Sequence, residues 1–126
     1  MFARVAITAT ALLIAFPAMA VDTAVTITLT TPSGAFEQQI TQYDCGTESP
    51  LAVTYVNAAP NFLAILAAPE ETGPLVFASV QSGSGARYAA GKWIWWTKSA
   101  DANLFDATLG DNAEPVLTCT EINNTP

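Results

Sequence analysis

The sequence predicts an all-β domain closed into a small antiparallel barrel. Three observations carry this: short runs in which apolar and polar residues alternate, Gly, Pro and Asn separating them at roughly ten-residue spacing, and charged residues at only 12%. A closed barrel suits this chain because closure leaves no exposed edge, and so few charges could not otherwise protect one.

The elements follow in order. Arg4, the apolar residues 5–16 and the small residues Ala18, Met19 and Ala20 read as an export leader cut before Val21. The domains are therefore 1–20, a signal peptide, and 21–126, one β-barrel domain of common size. The apolar run is shorter than the roughly 20 residues a membrane span needs. Val21 stands where a lipoprotein would carry its lipidated Cys, so a soluble periplasmic or secreted protein without a membrane anchor is expected. Residues 25–30 alternate strictly and are rich in Thr, Val and Ile, which predicts a first strand. After the turn at 31–34 come strands at 36–43, 51–57 and 62–67, the last rich in Ala and Leu that would also suit a helix. An acidic Pro/Gly loop, residues 69–74, precedes a strand at 75–80 and a Gly/Ser stretch at 82–85. Further strands are expected at 87–89, 92–97, 103–107 and 116–121, giving eight or nine in all depending on residues 62–67.

The formal net charge is −7, and beyond the leader only Arg87, Lys92 and Lys98 oppose all eleven acids. Nucleic acid is a poor partner for such a chain, since basic patches supply most of that affinity. A basic protein partner fits, and steering predicts an association rate that falls as salt rises; a flat rate up to physiological salt would exclude steering. Cys45 and Cys119 are the only cysteines, and in an exported chain they are expected to be bonded to each other. The bridge would close a loop of about 74 residues, worth on the order of 4 kcal/mol in the chain-entropy description.

The sequence contains no His, which removes the usual general base and any Ser-His-Asp or Cys-His arrangement. With both cysteines bonded, zinc has no customary ligands left, so neither metal, cofactor nor catalysis is expected. Glu70 and Glu71 are paired carboxylates, but adjacent acids in a Pro/Gly loop read as solvated. Gly83 and Gly85 lack the lysine and helix that a phosphate-binding loop needs.

Residues 84–104 concentrate what remains: all three tryptophans and every base beyond the leader lie in this stretch, beside a Gly-rich turn. Trp93, Trp95 and Trp96 either fill the core or build an interface, because large aromatics dominate both. The spacing here resembles the membrane-bound and periplasmic inhibitors of c-type lysozyme. That family's Ser-Gly-x-x-Tyr is met by Ser84, Gly85 and Tyr88. Its continuation, Tyr-x-x-Gly-x-x-x-Trp-x-x-Lys-Gly-x-x-Ala-x-Leu, is met by Tyr88, Gly91, Trp95, Lys98, Ala102 and Leu104, with Ser99 replacing the second Gly. Tyr43 and Cys45, and Cys119 with Glu121, resemble its looser Tyr-x-Cys and Cys-x-Glu features.

The resemblance implies an eight-stranded antiparallel barrel that inhibits c-type lysozyme by presenting Ser84 and Lys98 to the catalytic carboxyl groups. Gly85, Arg87 and Tyr88 would lie at or beside the contact, while Gly91, Trp95, Ser99, Ala102 and Leu104 would support it. Ser99 would be strained if the backbone there needs a positive φ. Two other functions fit the composition. One is a small-ligand-binding barrel, which would need an empty interior; the other is a structural module of the envelope. Neither the oligomeric state nor the particular lysozyme is legible.

Overall fold

The computed structural model describes residues 2–3, 5–17 and 23–123. Eight strands run in chain order around a closed antiparallel barrel: β1 (Glu37–Asp44), β2 (Leu51–Ala58), β3 (Asn61–Leu66), β4 (Leu75–Val80), β5 (Ala86–Ala90), β6 (Trp93–Lys98), β7 (Asp101–Asp106) and β8 (Leu117–Glu121). Each strand pairs with the next, and β8 returns to β1. A 3-10 turn, Ala107–Leu109, follows β7 and is capped by the Asp106 carboxylate, which accepts from Thr108 N–H at 2.9 Å.

Alternation along the strands sends one set of side chains inward. Val53, Ala64, Leu66, Phe77, Trp93, Trp95, Ala102, Leu104 and Cys119 are buried there together with the rings of Tyr43 and Tyr88. Residues 62–67 therefore belong to a strand, because a period of two places Ala64 and Leu66 on the core side. Small Ala64 and Ala102 leave volume for Trp95 and Phe77, so the interior is packed with side chains. At one end, residues 67–74 fold under the barrel. Trp93 Nε1–H donates to Glu71 at 3.0 Å, and Lys92 Nζ stands 3.3 Å from Asp106 and 3.7 Å from Glu70. The acidic loop read as merely solvated is thus tied to the barrel.

One predicted element is absent. Residues 25–30 form no strand: Val25 is 84% and Ile27 60% exposed. Their alternation is intact, but β8 already occupies the edge of β1 that an extra strand would need. The expected leader cannot be followed to its cleavage point, because Arg4 and residues 18–22 lie outside the described residues. No helix among the described residues is long and apolar enough to cross a membrane.

The seam that closes the barrel is short. β1 pairs with β2 from Glu37 opposite Asn57 to Tyr43 opposite Leu51, but with β8 only at Tyr43 opposite Glu121 and Asp44 opposite Thr120. Ile122 N–H adds a bond to Gln42 O at 2.8 Å. Cys45, directly after β1, is bonded to Cys119 in β8, so the covalent link lies beside the weakest ladder of the sheet.

Candidate functional site

The end of the barrel opposite the acidic loop carries the motif residues. Ala86 pairs with Thr97, so the segment 81–85 before β5 meets the turn 99–100 after β6. Ser84 and Gly85 thereby come against Lys98. At Gly85, φ is +64°, and a Cβ there would collide with the Thr97 carbonyl oxygen and stand 2.8 Å from Lys98 Cγ. Only a residue without a side chain lets the loop lie this close to β6.

Trp96 organises the outer face. Trp93 and Trp95 point inward, and the period of two turns Trp96 outward, directly opposite Arg87 on β5. Its Nε1–H donates to the Ser84 carbonyl oxygen at 2.9 Å, fastening the loop. The Lys98 ammonium stands 4.2 Å and the Arg87 guanidinium 5.0 Å from the Trp96 ring centre. Both cations thus rest on one indole, each contact worth roughly 0.5–1 kcal/mol at an exposed site. Lys92 makes the ion pairs recorded among the described residues, leaving Arg87 and Lys98 without acidic partners there. Arg87 Nε is buried with no hydrogen-bond partner. Beside it, a groove of about 150 Å³ is lined by Ile94, Trp96 and Phe105.

Four of the remaining motif residues sit in the core beneath this surface, while Gly91 lies at the acidic-loop end. Tyr88, Trp95, Ala102 and Leu104 are buried in the core, and Gly91 turns from β5 to β6 with φ +55°. Trp95 Nε1–H donates to Tyr55 Oη at 2.9 Å, and Tyr55 shares a 2.8 Å hydrogen bond with Tyr43. Burial pushes the phenols of Tyr43, Tyr55 and Tyr88 above their ordinary range, so all three stay neutral near pH 7. Ser99 has φ +52°, a conformation that costs an L residue about 1 kcal/mol or more. Ser99→Gly is therefore expected to stabilise the barrel by about 1 kcal/mol, measured as a higher urea midpoint; an unchanged midpoint would show the turn to be unstrained.

Gly85→Ala should act oppositely. The backbone collision and the positive φ together are expected to cost about 2 kcal/mol or to lift the loop off β6. Gly83→Ala is the control, since a Cβ there meets nothing within 4 Å. Equal denaturation midpoints for the two variants would refute the close-approach argument.

A small closed barrel that presents a pinned loop and, among the described residues, two cations without acidic partners has the surface of a binding module. Residues 43–112 match the family described as membrane-bound lysozyme inhibitor of c-type lysozyme, and the chain belongs to that family. Two relatives bearing the same description come from Pseudomonas aeruginosa and Cupriavidus necator. The first is 38% identical over 79 residues, covering 63% of this chain and 61% of the relative. The second is 37% identical over 76 residues, covering 60% and 59%. The chain thus matches about three-fifths of the length of each. A solved structure, Pseudomonas aeruginosa MliC in complex with hen egg white lysozyme, superposes with a TM-score of 0.60 at 32% identity, covering 80% of this chain and 100% of that one.

Trp96 is the site residue that sequence reasoning missed. The signal was present: in a strand containing Trp93, Trp95 and Trp96, strict alternation must send one indole to the opposite face.

Proposed function

We propose that this protein inhibits a c-type lysozyme by seating Ser84, Gly85 and Lys98 in the enzyme's active-site cleft. The observation that carries the reading is the loop itself: Gly85 packs closely on β6, Trp96 holds the Ser84 carbonyl, and Lys98, without an acidic partner among the described residues, rests on the same indole. A lysozyme cleft holds one carboxylic acid and one carboxylate. An ammonium and a hydroxyl are complementary to that pair. Lys98 pairs with the ionised carboxylate, Ser84 hydrogen-bonds the catalytic carboxyls, and the Arg87 guanidinium stands over the same indole beside them.

Two further facts support the reading. The relative from Pseudomonas aeruginosa was solved with hen egg white lysozyme bound, and that lysozyme is of the c-type. The net charge of −7 suits a cationic enzyme. Trp95, Phe77, Leu66 and Leu104 fill the interior, which would leave a small-ligand carrier only the barrel mouth. The site of action is the cell envelope or the medium beyond it, where the Cys45–Cys119 bond persists.

The test is lysis of Gram-positive cells by hen egg white lysozyme with the purified, oxidised protein titrated in. Saturable inhibition near equimolar protein supports the proposal. Full lysis by several c-type lysozymes in the presence of the folded protein refutes it.

A further inference from the structure

The barrel end that carries Lys98 also opens into a cavity of about 230 Å³, lined by Gln39, Thr41, Tyr43, Tyr88, Ser99 and Glu121 among others. Roughly 30 Å³ of liquid belongs to one water, so the mouth has room for the end of a long side chain. Its lining is chemically one-sided. Glu121 is the only charged residue in it, and among the described residues Glu121 forms no ion pair. Hydroxyls, amides and the three tyrosines Tyr43, Tyr55 and Tyr88 make up the remainder, and among the described residues no base lines it. Such a lining favours a cation, held by the carboxylate and by ring faces.

The mouth is also preformed. Trp95 N–H donates to Tyr55 Oη, which is bonded in turn to Tyr43 Oη, so the tyrosine beside Glu121 is fixed from behind. β8 places Glu121 directly opposite Tyr43, and Glu121 N–H donates to Ala100 O at 2.7 Å. This last bond ties the mouth to the turn that follows Lys98. Ser99 itself lines the cavity. The mouth therefore opens at the same end of the barrel as Ser84 and Lys98.

We infer that the barrel mouth is a second subsite, in which Glu121, with Tyr43 and Tyr88 beside it, receives a lysine or arginine side chain projecting from the bound lysozyme. The inference rests on the proposed inhibitory role for its partner, but not for its chemistry. Contact then has two poles of opposite sign: Lys98 reaches a partner carboxylate, and Glu121 takes a partner cation. Such a pattern fixes orientation as well as attraction, because a partner rotated on the barrel end would bring like charges together.

The experiment measures binding of hen egg white lysozyme to the oxidised exported protein and to its Glu121→Gln variant. The variant is expected to bind about tenfold or more weakly, chiefly through faster dissociation. Glu114→Gln, with the same loss of charge on an exposed loop away from the mouth, is expected to change affinity less than about twofold. Gln39→Glu adds a carboxylate to the mouth and is expected to tighten binding. Unchanged affinity in Glu121→Gln, or weaker binding in both Glu121→Gln and Gln39→Glu, overturns the subsite. If the wild type binds no lysozyme, the inhibitory reading has failed, and the mouth is then read with Nα-acetyl-lysine methylamide by NMR. Shifts at Tyr43 and Tyr88 that vanish in Glu121→Gln keep the cation site; their absence in the wild type overturns it.

Discussion

Lys98→Ala is expected to weaken binding of a c-type lysozyme by about thirtyfold to several thousandfold, the equivalent of roughly 2–5 kcal/mol for truncating a desolvated interfacial charge. The free protein should hardly notice. Lys98 is exposed, pairs with no acid among the described residues and contributes one contact with the Trp96 ring. That contact is worth about 0.5–1 kcal/mol at most. Affinity and stability are thus decoupled at this position, which makes the variant decisive. Calorimetric titration beside urea denaturation would read both quantities. Retained affinity in a correctly folded Lys98→Ala protein would remove Lys98 from the cleft and leave the proposed mode of inhibition without its principal charge.

Loss of the disulfide is the second large effect. Replacing Cys45 and Cys119 together by Ala is expected to lower stability by about 4 kcal/mol, the chain-entropy value for a loop of this length. The structure gives this effect a location. β1 meets β8 only at Tyr43 with Glu121 and Asp44 with Thr120, so without the covalent link the barrel is held shut mainly by that short ladder. Both Tyr43 and Cys119 are core residues at the seam, and their packing depends on closure. Urea unfolding of the double variant, compared with wild type in the presence and absence of reductant, measures the effect. A difference under about 1 kcal/mol would mean that the ladder and the core hold the seam without the bridge.

Much of the barrel was legible because alternation reports which face of a strand is buried. Residues 51–57 were read as an alternating run, and β2 occupies that position with Val53 inside. Residues 62–67 were ambiguous because Ala and Leu serve helices as well as strands; what decides them is pairing with β2 and β4 on either side. Residues 25–30 misled for the converse reason. Alternation describes a strand's faces and is silent about whether a neighbouring edge is free to accept its backbone bonds.

The site divides in the same way. Ser84 and Lys98 were accessible through the spacing of a family motif, and Gly85 through its place within it. Of the two readings of the tryptophans, the core reading holds for Trp93 and Trp95, while Trp96 faces outward opposite Arg87. What spacing could not convey is the convergence of Arg87, Lys98 and the Ser84 carbonyl on one indole, or that of Glu121 with Tyr43 across the seam. These depend on strand register, which links residues distant in the chain.

The strict neighbour order of the strands also dictates how the barrel can assemble. Seven of its eight ladders join consecutive strands and close short loops, whereas the ladder from β1 to β8 must bring together opposite ends of the domain. Loop-closure entropy makes that pairing the slowest to become favourable. Until it forms, the chain is an open meander with two bare edges, the state most prone to join another copy edge to edge. A nascent barrel is therefore safest where its thiols can be oxidised promptly, because the Cys45–Cys119 bond holds those two edges together once it has formed.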